Sequence, residues 1–387
     1  MTDEQLVAAA VQAKAGETVK LRKAAQESLA RDAPAASRAL AKAFPGKAGR
    51  DPAVSKKLAA LEATKKFPPV MAFARELAAR HKLGIPFLCE RGEAASALQC
   101  LVENGTLRVT GIKPIPDQLG DVTGVTSLEL ERCQLPDLPV GVRRLANLKS
   151  LSVSGARWPA IPDSIAELRE LEELSISSAT LSKGLGAGLA KLPKLRTLTL
   201  WGTQVGELAG LPPSLEQLTV HDGKVDELPG GIAGHPALRE LTVRCRWTLS
   251  KLAPALGDLG TLEKLELYAP EIDELPREIG KLTKLRQLLL DCDDLAAIPD
   301  ELCECSALEE IDLQCGAPSL PQGFGKLRNL RRLVLTAYKM KKGLPAGIYE
   351  LDKLELLGLR YVKLPASEKA ALKARWPNAE VNFDYEG

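Results

Sequence analysis

The chain has 387 residues, a formal net charge of only +2, 45% hydrophobic residues and 4% aromatic ones. So balanced a charge makes no electrostatic case for nucleic acid or an anionic membrane surface, and no run approaches the ~18 apolar residues of an integral membrane segment. With aromatics this scarce, aliphatic side chains must fill the core.

No basic start followed by an apolar run and a small-residue cleavage site opens the chain. The eight cysteines show no disulfide-framework spacing, which points to a reducing, cytoplasmic compartment. The charge is unevenly placed: residues 1–104 hold 17 Lys/Arg against 11 Asp/Glu, and the remainder 35 against 39. Its Ala-rich, Arg-containing composition gives the chain a bacterial look.

Residues 1–104 read as an α-helical N-terminal region. Thr2 and Gln5 have the spacing of a capping box, and Glu17 to Arg31 puts Leu21, Ala25 and Leu29 on one face. Asp51-Pro52 is an N-cap and first-turn pair before Val54, Leu58 and Leu61. Further helices are expected over 70–82 and 93–103. Residues 70–104 suit a cap on an exposed apolar end, while the Ala-rich residues 1–50 bury little area and suit an arm.

From Leu107 the pattern changes. Leu262-Glu-Lys-Leu265-Glu-Leu267 is followed by Ile272, Leu275-Pro276, Ile279 and Leu282, and this unit recurs to the end of the chain. Its opening triad appears eleven times, from Val125/Leu128/Leu130 to Leu354/Leu357/Leu359, at steps of 20 to 24 residues. Leu107-Arg108-Val109 is a degenerate first unit, and Pro377 to Phe383 reads as a closing strand with Val381 and Phe383 inward. A repeat of this length and leucine spacing resembles the leucine-rich-repeat family over about three-quarters of the chain. That resemblance implies an α/β solenoid over residues 105–387, with a parallel sheet on the concave face and turns or short helices returning on the convex one. The L-P-x-x-I-x-x-L units are similar to Scribble-type and plant Ras-group-related proteins. Leu208-Ala-Gly-Leu211-Pro212-Pro213-Ser214-Leu215 makes one 20-residue unit that resembles bacterial effectors of the IpaH and YopM type. In the IpaH type a ubiquitin-ligase domain follows the repeats, and that activity is not carried over here.

One departure from the family stands out. The usual repeat has Asn three residues after the last leucine, and here those positions run Cys133, Ala156, Ala179, Thr203, Gly223, Arg246, Pro270, Asp293, Gly316, Tyr338 and Val362. Backbone or water must satisfy the turn instead.

Little in the sequence suggests chemistry. His81, His221 and His235 are far apart in repeat count. Cys303 and Cys305, with Cys292 and Cys315, are the one cluster of metal-like spacing, yet Cys305 falls in the slot of Leu282 and reads as core. Cys292 and Cys315 share a slot in adjacent units, about 5 Å apart. Gly184 to Gly188 reads as a turn. No phosphate-loop, nucleophile-elbow, zinc-protease or dinucleotide motif is present, so neither an enzyme, a cofactor nor a metal is expected.

The remaining signal is a surface. The residue after each inner pair points outward, one per strand, and the middle strands present Trp201, His221, Arg244, Tyr268, Asp291 and Gln314. The first five make a band ~20 Å long, rich in the residue types that dominate interface hot spots. A flanking column (Glu129, Ser152, Ser175, Thr199, Thr219, Thr242, Glu266, Leu289, Asp312, Val334 and Gly358) is largely small and would admit a close partner. The expectation is a scaffold that binds a protein partner on its concave face, with small GTPases entering by family analogy alone. The alternative is a secreted effector or toxin-associated protein whose basic head serves delivery or membrane contact.

Overall fold

The computed structural model describes residues 102 and 104–383, except 111–114, 116, 134, 204, 206–207, 222–226, 229, 246–248, 338 and 341–342. The helical head expected over residues 1–104 lies almost wholly outside them. By its own contacts the chain forms two compact units, residues 1–156 and 157–387.

Among the described residues, the first unit carries strands β1 (Thr106–Thr110), β2 (Ser127–Glu131) and β3 (Ser150–Ser154), a 3₁₀ helix over Asp117–Asp121 and a short α-helix, α1 (Val140–Arg143). The strands are parallel and pair inner residue to inner residue, Leu107 with Leu128 with Leu151 and Val109 with Leu130 with Val153.

The second unit repeats the arrangement. Its strands are β4 (Glu173–Ser177), β5 (Thr197–Trp201), β6 (Gln217–His221), β7 (Glu227–Leu228), β8 (Glu240–Arg244), β9 (Lys251–Leu252), β10 (Lys264–Tyr268), β11 (Gln287–Cys292), β12 (Glu310–Cys315), β13 (Arg332–Thr336), β14 (Leu356–Arg360) and β15 (Glu380–Phe383). The two-residue β7 and β9 pair only with each other; the other ten lie parallel in sequence order. Alternation buries Leu265 and Leu267 at 0% and 1% exposure and turns Lys264, Glu266 and Tyr268 outward. The closing strand β15 pairs Val381 with Leu357 and Phe383 with Leu359, the register expected of it.

Most return segments of the second unit are short 3₁₀ helices, and the spacing of their side chains explains why. In the unit Pro276 to Leu285, Ile279 N–H donates to Pro276 O, Leu282 N–H to Ile279 O and Leu285 N–H to Leu282 O, all at 3.0–3.1 Å. Every bond spans three residues, and Ile279, Leu282 and Leu285 are each 0% exposed. A helix with 3.0 residues per turn puts such a series on one face, which an α-helix would splay. Pro276 stands just outside its turn, extended at φ −67°, ψ 143°, and supplies the first acceptor.

The asparagine slot is filled in two ways. Arg132, Gly155, Ser178, Gly202 and Tyr361 take positive φ of 54–73°, which turns the next residue inward, so Cys133, Ala156, Ala179, Thr203 and Val362 are buried. From β8 to β13 the strand instead runs on, and the residue one place earlier fills the slot: Cys245, Ala269, Cys292, Cys315 and Ala337. Asp293, at the expected position, is exposed. In both modes the backbone supplies the bond that an asparagine would: Gly202 N–H donates to His221 O at 2.8 Å and Cys245 N–H to Tyr268 O at 2.9 Å.

At the C-terminal side, helix α2 (Ala366–Arg375) precedes the last strand and was not foreseen. Trp376 follows it, buried, with its indole N–H donating to Leu351 O at 2.7 Å.

A charge ladder runs beside the sheet. From the third unit on, the residues following the first leucine are Glu172, Arg196, Glu216, Arg239, Glu263, Arg286, Glu309, Arg331 and Glu355, strictly alternating in sign. Their backbones are bonded in series, with Arg286 N–H to Glu263 O at 2.7 Å and Glu309 N–H to Arg286 O at 2.8 Å. Their side chains pair as Arg196–Glu216, Arg239–Glu263, Arg286–Glu309 and Arg331–Glu355. Exposed pairs are individually weak, but each internal charge has an opposite neighbour on both sides. Glu309→Arg puts three arginines in a row and is expected to cost about 1 kcal/mol more than Glu309→Gln at low ionic strength. In about 1 M salt that difference should vanish. Equal denaturant midpoints for the two variants at low salt would show that the alternation contributes nothing.

Candidate functional site

The register converts the outward residues into one row. Trp201 pairs with His221, His221 with Arg244, Arg244 with Tyr268, Tyr268 with Asp291, and Asp291 with Gln314. All six residues singled out in the sequence therefore stand side by side on β5, β6, β8, β10, β11 and β12. Because each is held by a strand whose inner leucines are locked in the core, the row is preorganised.

At one end the Trp201 indole lies flat on the His221 imidazole, with ring centroids 4.0 Å apart and planes 5° from parallel. Trp201 is nevertheless 46% exposed, far more than a tryptophan needed for packing. In the middle, Arg244 reaches the neighbouring column: its Nε donates to Glu266 Oε1 at 2.9 Å, and its Nη2 bonds the same oxygen. Lys264 Nζ stands 3.5 Å from Glu266 Oε2. At the other end Gln314 Nε2 donates to Asp293 Oδ1 at 3.4 Å.

Between these ends lies a shallow depression of about 250 Å³, lined by Arg244, Glu266, Leu267, Tyr268, Leu289, Leu290, Asp291, Asp312 and Gln314. Asp312 is half-buried, with Leu289 and Val334 as its register neighbours. Burial pushes its carboxyl above the ordinary carboxylate range, against an opposing pull from Arg332. Glu266, Leu289 and Asp312 entered the sequence reading only as members of a small flanking column. Their register, one column in from Arg244, Tyr268 and Asp291, is the signal that could have linked them.

The other candidate groups are structural. Cys292 and Cys315 do face each other across β11 and β12, and both are buried free thiols. Burial pushes Cys292 up to about 12 and raises Cys315 as well, so neither supplies a thiolate near neutrality. Cys305 is held up to about 12 by burial, with its Sγ 3.2 Å from Ile279 O. His235 is a buried return-segment residue bonded to backbone, and His81 lies outside the described residues. Among the described residues, no three or more His, Cys, Asp or Glu are placed to hold a metal ion, and no helix is long and apolar enough to cross a membrane.

No protein-family model matches the sequence, and no curated protein does. Solved structures do match. An internalin of Listeria monocytogenes is similar over 76% of this chain and 83% of its own, at 19% identity and a TM-score of 0.56. The Toll–Spatzle complex of Drosophila matches over 75% of this chain and 48% of that one, at 18% identity and a TM-score of 0.54. A plant peptide hormone receptor, RGFR1 in complex with RGF2, matches over 74% and 49%, at 21% identity and a TM-score of 0.50. This chain thus spans about half the length of the latter two. At such identities the likeness is one of fold, and the fold is that of the leucine-rich repeat.

Proposed function

We propose that this chain is a non-enzymatic binding scaffold whose partner is a protein docking on the open face of β5, β6, β8, β10, β11 and β12. The observation that carries this reading is Trp201: an indole 46% exposed, stacked on His221, with Arg244 and Tyr268 next in the row. Trp, Arg and Tyr side chains are the usual energetic centres of protein interfaces. Held on strands, they lose little conformational entropy on docking, which favours affinity. Similar folds described in complex with RGF2 and with Spatzle support a binding role in general terms. The Scribble-type character of the L-P-x-x-I-x-x-L units brings small GTPases into the panel of partners to test, and the reading places the protein in a bacterial cytoplasm. The effector alternative draws on the 20-residue unit and the basic residues 1–104; finding the native protein in the culture medium would favour it.

The test compares wild type with Trp201→Ala/Arg244→Ala/Tyr268→Ala as baits in native lysate, with circular dichroism to establish that both are folded. A partner held by the wild type should be lost from the triple variant, since removing hot-spot residues costs upwards of ~2 kcal/mol each. A partner retained equally by both would move the site off this row.

A further inference from the structure

We propose that the depression beside Tyr268 receives a single arginine side chain of the protein partner, with Asp312 as its counter-ion. This rests on the scaffold reading and deepens it by naming what the face recognises.

The charges around the depression are unequally served. Glu266 is held by Arg244 through one oxygen and approached by Lys264 at the other. Asp312 has no hydrogen-bond or ion-pair partner among the described residues; Arg332 acts on it only through space. Its neighbours across β11 and β13 are Leu289 and Val334, the latter 4% exposed. A carboxylate set in an apolar strip is costly while it is unpaired. An arriving cation recovers that cost, so the arrangement is complementary to positive charge.

Size and lining narrow the choice. About 250 Å³ is less than the ~300–1,000 Å³ of pockets that enclose drug-sized ligands, and fits one long side chain. Tyr268 offers an aromatic wall and Leu289 an apolar one for the stem. Gln314 spends its amide N–H on Asp293, which leaves its carbonyl oxygen to accept. A planar, weakly hydrated guanidinium can stack on the aromatic wall while its fork of donors reaches both acceptors; an ammonium, a compact and more strongly hydrated charge, gives up more hydration and does not stack.

The probe is acetyl-arginine amide, titrated into the full chain carrying ¹³C-labelled aspartate, with acetyl-citrulline amide as the uncharged control. The Asp312 carboxyl signal should shift saturably with the arginine compound, and its titration should move to lower pH. The citrulline compound should do neither, and Asp312→Asn should abolish the arginine response at neighbouring signals. Asp312→Asn preserves shape. Burial raises the folded-state carboxyl, so its contribution to stability is complete below the ordinary value of 3.8 and is lost as pH rises through the folded value. The asparagine variant should therefore be at least as stable as wild type at neutral pH, so a lost response is not a lost fold.

With a captured partner in hand, Asp312→Asn should weaken binding by at least about tenfold. An equal response to citrulline, or no saturable shift, would overturn the proposal. So would an Asp312 signal that moves on simple dilution, which would give the depression to a second copy of this chain. Partner binding that survives Asp312→Asn but fails in the Trp201/Arg244/Tyr268 variant would remove the arginine receptor and leave the scaffold. Binding indifferent to both would remove both.

Discussion

Alanine at Gly280 is expected to lower the unfolding free energy by about 1–3 kcal/mol, whereas alanine at Gly260 should leave it unchanged or raise it by about 0.4–1 kcal/mol. Both replacements are chemically identical, and the environments differ. A Cβ on Gly280 would stand 2.5 Å from Glu301 O and 3.0 Å from Glu301 Cβ, inside the next return segment. Backbone there cannot yield without separating two stacked 3₁₀ turns, each carrying buried leucine or isoleucine. At Gly260 nothing lies within 4 Å of that position and φ is ordinary, so alanine only reduces the freedom of the unfolded chain. Chemical denaturation of the pair decides the matter, and similar midpoints would show that the returns do not pack through their backbones. The same clash would meet a Cβ on Gly257, 2.4 Å from Glu278 O, and one on Gly325, 2.6 Å from Gly347 O. Where Cys303 takes the glycine's place, the next return sets Gly323 opposite its sulfur, 3.5 Å from where a Cβ would be. The space is thus given up on one side or the other.

That exchange also shows what a single sequence can and cannot disclose. The leucine pairs were legible because alternation inside a strand has one solution once a core exists: Leu265 and Leu267 must go in, so Glu266 and Tyr268 go out. The row from Trp201 to Gln314 followed at once, since a fixed offset from the buried pair fixes its neighbours. The slot after the strand was not legible. Whether residue 292 or 293 turns inward depends on the sign of φ between them, and three of the five positive-φ residues there are Arg132, Ser178 and Tyr361, which carry no glycine signature. The charge ladder was written plainly in Glu263, Arg286 and Glu309, but it lies outside the leucine and outward-facing columns. Asp312 could be placed on the face from its spacing. The lack of a bonded cation partner could not, because that depends on where Arg244, Lys264 and Arg332 turn their side chains.

His235 tests the repeat logic where sequence and structure disagree most. It occupies the slot filled by Leu259, Leu282 and Leu327 in later units, so the repeat pattern recommends leucine. The structure argues against that choice. His235 is 9% exposed, and its Nδ1 accepts from Ala237 N–H at 3.3 Å, which leaves the proton on Nε2 to be donated to Pro212 O at 3.0 Å. Pro212 belongs to the short 20-residue unit, where no 3₁₀ helix forms between β5 and β6 among the described residues. Its carbonyl already accepts from Leu215 N–H at 3.0 Å, as in a regular return, and the histidine of the next unit adds a second bond to it. His235→Leu is expected to cost about 1–2 kcal/mol through these lost bonds despite matching its neighbours. His235→Ala should cost about 2–3 kcal/mol, because it adds a cavity. Glutamine, which can both donate and accept, should lose least. Denaturant midpoints that rank leucine above wild type would mean that the short unit needs no donor, and that the histidine merely fills a leucine's volume.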